Sequence, residues 1–109
     1  MRNRTHLVIG AGKMGGALIK GWILSEIIIP EQLLIIDPHP SEEANKAIKA
    51  GALHLKKPNN KLQNVQTTIL AIKPQKINEL SDSLSKYLPQ KSLIISILVP
   101  AKIEIISES

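Results

Sequence analysis

At 109 residues the chain is long enough for one domain with a buried core, but short for a complete two-domain enzyme. It has no Cys, which excludes disulfides, thiolate metal sites and a cysteine nucleophile; no Phe and single Trp and Tyr residues leave the core to aliphatic side chains. The net charge of +5 comes from lysines scattered through every segment, with only Lys56 and Lys57 adjacent and no aromatics between them for base stacking, so nucleic-acid binding is not expected.

Met1-Arg-Asn-Arg4 followed by apolar residues has the outline of a signal peptide, but glycines and Lys13 interrupt it within a few residues, and no cleaved leader is expected. No apolar stretch approaches the ~20 residues needed to span a bilayer. A soluble, cytoplasmic protein is therefore expected. The histidines His6, His39 and His54 have no ligand spacing to one another or to carboxylates, so no metal site is assigned.

The first predicted strand covers residues 5–10 and runs directly into Gly10-x-Gly12-x-x-Gly15. That order, strand then glycines then helix, is the fingerprint of a dinucleotide-binding βαβ unit. Gly10 permits the tight turn, Gly12 lets the backbone approach a pyrophosphate, and Gly15 lets the helix pack closely on the strand. The pyrophosphate would sit on the unpaired N–H groups that open the helix, where the dipole favours negative charge. Met14, Ala17, Leu18, Gly21 and Trp22 recur at helical spacing and predict a helix over 13–25. A second strand, 32–37, ends in Asp37, roughly 20 residues past Gly15, where an acid can accept from a ribose hydroxyl.

Pro38 and Pro40 forbid helix after that strand. Ser41 is a plausible N-cap for a helix running to about Ala50, with Glu42 and Glu43 in its first turn and Gly51 placed to end it in the left-handed conformation. A short strand over 52–55 precedes the turn Lys57-Pro-Asn-Asn60, and a buried strand over 67–72 stops at Lys73-Pro74. A helix over 75–88 shows Ile77, Leu80, Leu84 and Leu88 on one face and an Asp82–Lys86 pair at i, i+4. The apolar run 92–98 reads as a central parallel strand, and Ile103 and Ile106 as one or two further helical turns. The alternation predicts one doubly wound α/β domain over 1–109 with a parallel sheet of about five strands, a Rossmann-type dinucleotide-binding domain.

Three strings go beyond the generic fingerprint: Ile9-Gly-Ala-Gly-Lys-Met-Gly-Gly-Ala-Leu-Ile-Lys-Gly-Trp22, Ile69-Leu-Ala-Ile-Lys-Pro-Gln75 and Ile94-Ile-Ser-Ile97. In this order and spacing they resemble the N-terminal half of pyrroline-5-carboxylate reductase. The resemblance implies hydride transfer from NAD(P)H to 1-pyrroline-5-carboxylate, giving proline. It also implies a cofactor site. Gly10, Ala11, Gly12, Lys13, Met14 and Gly15 would wrap the pyrophosphate, and Asp37 would lie by the adenosine ribose. Asn59 or Asn60, with Asn60 preferred, would line the adenine side. Ala71, Ile72, Lys73 and Pro74 would pass beneath the nicotinamide half, and Ile97 and Leu98 would continue that wall.

Asp37 leans the site towards NADH, because a carboxylate repels a 2′-phosphate; it also suits a turn opening before Pro38. No arginine is near to counter it, leaving His39 and Lys46 as local cations. The family's glycine after the fifth strand is replaced by Pro100. The family's helical substrate and dimerisation domain is absent from this sequence, so no catalytic residue is assigned. The alternatives are an inactive dinucleotide-binding module, or a fragment of another dehydrogenase of the superfamily, such as a β-hydroxyacid dehydrogenase or a deazaflavin-linked NADP reductase. A separately encoded helical partner is one route to activity. Self-association through an apolar surface near the fifth strand and the Ile103–Ile106 tail is a further expectation.

Overall fold

The computed structural model describes residues 4–10, 12–98 and 102–108. Its strands are β1 (His6–Ile9), β2 (Leu33–Ile36), β3 (Leu53–Leu55), β4 (Thr67–Leu70), β5 (Leu93–Leu98) and β6 (Lys102–Glu108). The helices are α1 (Lys13–Leu24), α2 (Glu42–Lys49) and α3 (Pro74–Tyr87), with 3-10 turns at Pro30–Gln32 and Asn60–Asn64. The sheet order is β3-β2-β1-β4-β5-β6; the first five strands in chain order are parallel and β6 is antiparallel to β5. Strand order reverses between β1 and β4. In open α/β sheets, ligands bind beyond the carboxyl ends of strands at such a point.

Side-chain alternation sorts the core into two layers. Val8, Leu33, Ile35, Ile69 and Ile97 share one apolar cluster with Ile19 of α1 and Ala44 and Ala47 of α2. Leu7, Ile9, Leu34, Ile36 and Leu70 share the other with Leu84 of α3 and Leu88, and Ile77 and Leu80 pack against it. The sheet is thus covered by α1 and α2 on one face and by α3 on the other. This is why β1 and β2 read as unbroken apolar runs: seven of their eight residues are buried.

The chain between predicted elements follows the signals in the sequence. Ser41 caps α2, its Oγ accepting from the Ala44 N–H at 3.3 Å. Gly51 has φ +131°, and the N–H groups of Gly51 and Ala52 donate to the carbonyls of Ile48 and Ala47, the paired bonds of a Schellman stop. Asp82 and Lys86 do not pair; Lys86 Nζ instead lies 5.3 Å from the centre of the Tyr87 ring.

The last predicted element is also corrected. Residues 102–108 form β6 rather than helical turns. Ile103 and Ile106 suit a helical spacing, but Ile103-Glu104-Ile105 also alternates, and β-branched residues favour strands. The register pairs Ile95 with Ile105 and Ile94 with Ser107, so Ile106 falls in a bulge, the extra residue that disguised a period of two as a period of three. β5 is accordingly not the edge of the sheet.

Candidate nucleotide-binding cleft

The glycine loop joins the end of β1 to the start of α1, and the three fingerprint glycines meet different surroundings. Gly10 has φ +87°, and a Cβ there would run into the Ala71 carbonyl and the Ile72 side chain. Its N–H donates to the Ile36 carbonyl at 2.9 Å, and the Ala71 N–H donates to the Ile9 carbonyl at 2.8 Å, so the loop is tied to both neighbouring strands. A Cβ on Gly15 would collide with the Gly10 carbonyl oxygen. At Gly12, by contrast, a Cβ would meet nothing within 4 Å. Two glycines are therefore required by the protein's own packing, whereas Gly12 borders open space.

That open space adjoins the start of α1. Gly12 is its N-cap, with no side-chain cap and no acidic residue in the first turn. The first-turn N–H groups have no intrahelical acceptor and are unopposed by a carboxylate within the turn. This is the donor set and the dipole sign an anion requires.

A cleft of about 360 Å³ lies beside the loop at the carboxyl ends of the strands, on the α3 face. Ile9 and Gly10, Ile36, Asp37 and Pro38, Lys56, and Ile72, Lys76, Glu79 and Leu80 line it. Its floor is aliphatic and its rim is charged. A flat apolar ring with a polar sugar attached matches that distribution of groups.

Asp37 stands at the rim, half-buried. Its Oδ1 accepts from the His39 N–H at 2.7 Å, an Asx turn, and its carbonyl accepts from His54 Nε2 at 2.6 Å. The backbone of His39 and the ring of His54 thus both hold this aspartate. The turn role and the rim position coexist, since the same side chain closes the turn and lines the cleft.

Of the other residues named from sequence, Gly10, Asp37 and Ile72 share the cleft. Lys73 is exposed and N-caps α3 with extended backbone, and Pro74 occupies the first helical position, which costs no hydrogen bond. Ala71 is half-buried beside the glycine turn. Ile97 is buried in the α1–α2 cluster, on the opposite face of the sheet from the cleft. Asn59 Oδ1 accepts from the Lys61 N–H at 2.9 Å, and Asn60 is exposed in the same 3-10 turn, outside the cleft lining. Ala11 and Pro100 lie outside the described residues; Lys13, Met14 and Leu98 are placed in their elements by backbone alone.

Lys46 is not at the cleft either: its ammonium lies 3.9 Å from Glu42 and 3.7 Å from Glu43 on its own helix. The cation that does line the cleft beside Asp37 is Lys56, which sequence reasoning passed over. A signal for it existed. In a doubly wound sheet the second and third strands are neighbours, so the residues just past their ends come side by side, and here Ile36 pairs with Leu55. Lys76 and Glu79 line the cleft without a signal in the sequence, and Leu80 was legible only as part of the apolar face of α3.

Comparison with known proteins agrees with this geometry. Residues 7–100 match the model of a family described as NADP oxidoreductase coenzyme F420-dependent. A curated relative, the pyrroline-5-carboxylate reductase of Methanosarcina acetivorans, is 32% identical over 98 residues, which are 89% of this chain and 36% of that protein. The chain thus spans about a third of the length of the relative it matches. Among solved structures, an imine reductase variant from Myxococcus stipitatus in complex with NAD+ superposes with a TM-score of 0.64 at 22% identity, covering 88% of this chain and 32% of that one. A precorrin-2 dehydrogenase, SirC, gives 0.61 at 21% identity, covering 95% and 50%. A pyrroline-5-carboxylate reductase from Coxiella burnetii gives 0.60 at 16% identity, covering 89% and 44%. These structures share the dehydrogenase-type Rossmann fold. The family match covers most of the chain, and the chain belongs to this NADP oxidoreductase family.

Proposed function

We propose that this chain is the dinucleotide-binding domain of a pyrroline-5-carboxylate reductase and that it holds NAD(P)H across the carboxyl ends of β1 and β2. The observation that carries the reading is the contrast within the glycine loop, where Gly10 and Gly15 are filled by the protein's own backbone and Gly12 faces open space beside uncapped helix N–H groups. In it, the pyrophosphate rests on the start of α1, the adenine lies over Ile36, Ile72 and Leu80, and Asp37 receives the adenosine ribose. Ala71, Lys73 and Pro74 approach the nicotinamide half, and Ile97, buried on the other face of the sheet, takes no part.

When bound, the dihydronicotinamide supplies the hydride that reduces a cyclic imine to an amine. The chain's own share of that chemistry is to bind and orient the donor. The chain spans about a third of its curated relative, and by itself it is expected to bind dinucleotide without turnover. A separately encoded helical domain, self-association and a cytoplasmic setting complete the proposal. Support for pyrroline-5-carboxylate as substrate comes from the curated relative and from the Ala71-Ile-Lys-Pro-Gln75 string. A second reading, a deazaflavin-linked NADP reductase, draws on the family's description.

Calorimetric titration with NADH and NADPH, run beside proline-dependent reduction of NAD(P)⁺, tests the reading. Binding without turnover is expected. No binding of either dinucleotide would remove the proposal, and turnover by the isolated chain would remove the part that makes it a non-catalytic module.

A further inference from the structure

Asp37 alone argues for NADH, yet it is not the only charge at its end of the cleft. Lys56 lines the same cleft. The β2–β3 register pairs Ile36 with Leu55, which brings the next residue on each strand, Asp37 and Lys56, to neighbouring positions at the sheet's carboxyl edge. The hydrogen bond from His54 Nε2 to the Asp37 carbonyl, at 2.6 Å, fastens these two strand ends together. The turn bond from the His39 N–H holds Asp37 Oδ1 in place, and the strand register keeps the Lys56 backbone beside it.

Two other cations of this region are already engaged. Lys46 is paired with Glu42 and Glu43, and Lys76, across the cleft, lies 3.6 Å from Glu79, which also lines it. Lys56 is exposed and has no ion-pair partner among the described residues. A phosphate monoester carries between one and two negative charges near neutral pH. A carboxylate at the ribose repels it, and a lysine ammonium on a flexible stem can meet it as a point charge with three donors.

We propose that Lys56 receives the 2′-phosphate of NADPH beside Asp37, so that dinucleotide preference at this cleft is set by the Asp37–Lys56 pair. The inference rests on the dinucleotide reading given above. With both residues present the chain accepts NADH and NADPH. Removing the lysine takes away the cation that would meet the 2′-phosphate and shifts the cleft towards NADH. Because the lysine is exposed, its effect is moderate and screened by salt.

The experiment titrates the purified chain with NADPH, NADH, 2′,5′-ADP and 5′-ADP, in the wild type and in Lys56→Ala, Lys56→Arg and Lys76→Ala. In Lys56→Ala, NADPH and 2′,5′-ADP are expected to bind about three- to tenfold more weakly while NADH and 5′-ADP change by less than about twofold. Lys56→Arg should restore most of the loss, and raising salt from about 50 to about 500 mM should shrink the difference. Equal weakening of all four ligands, no weakening, or an NADPH-specific loss in Lys76→Ala instead would overturn the proposal. A wild type that binds NADH but not NADPH would also overturn it while leaving the dinucleotide reading intact. A wild type that binds neither removes both.

Discussion

The two ends of the parallel sheet are finished in different ways. At the amino ends each strand is tied to its neighbours: Gln32 O accepts from the Thr5 N–H, Thr5 O from Gln66 and Thr67, and Gln66 O from Leu93. Arg4 adds a side-chain tie, its guanidinium reaching Gly51 O at 2.7 Å and Leu33 O at 3.4 Å. Both helices on one face also stop there in the same backbone pattern, α2 at Gly51 and α1 at Glu26. At the carboxyl ends the chain opens into the glycine loop and the cleft. Glycine and charge therefore mean different things at the two ends. At the amino end they close the fold; at the carboxyl end the same residue types leave room for something else.

The largest expected effect tests the part of the loop that belongs to the fold. Gly15→Ala places a methyl against the Gly10 carbonyl oxygen, a backbone atom that cannot move without shifting β1. A loss of about 3 kcal/mol in chemical denaturation is expected, near the upper end of overpacking costs. Unchanged stability would show that the close helix–strand approach is not needed.

At the amino end, Arg4→Ala should cost about 1–2 kcal/mol, since a charge-assisted bond to a carbonyl is lost, and dinucleotide affinity should not change. An equal drop in affinity would break the separation between the ends. Glu26 gives the opposite sign. It holds φ +57° in the stop where α2 uses glycine, so Glu26→Gly should stabilise the chain by about 0.5–1 kcal/mol, read as a rise in the urea midpoint.

The smallest effect is a pH dependence. His6 opens β1, its ring lies edge-on to Trp22 at 5.2 Å, and burial lowers its pKa below the ordinary 6.5. The folded state therefore favours the neutral ring. Stability from this group is complete above about pH 6.5 and declines as pH falls towards the lowered folded value, because the unfolded chain takes up the proton first. Denaturation of the wild type and His6→Gln across that window checks it: the wild type should lose more stability on acidification, and parallel curves would contradict the assignment.

The same contrast explains how far the sequence could be read. Among the described residues every parallel strand and all three helices were legible, because apolar runs, Ser41, Gly51 and Pro74 are local signals for local structure. At the carboxyl end, the tight turn at Gly10, the close approach at Gly15 and the place of Asp37 at the cleft rim follow from spacing along one βαβ unit. Lys56 was not, because its place beside Asp37 depends on strand order and register rather than on its neighbours in sequence. Asn60 was assigned from a family pattern, and the local 3-10 turn holds it outside the cleft lining. β6 was misread because a bulge at Ile106 shifted its alternation by one residue.

Gly12 offers the most direct test of the account. Its Cβ position is empty, so Gly12→Ala should cost no more than the about 1 kcal/mol of placing alanine at an N-cap. The same methyl would stand where the pyrophosphate must approach, and NADH and NADPH affinity should fall by at least about tenfold. A folded chain with lost binding is the predicted result. A folded chain with undiminished binding would contradict the claim that the glycine loop holds the dinucleotide.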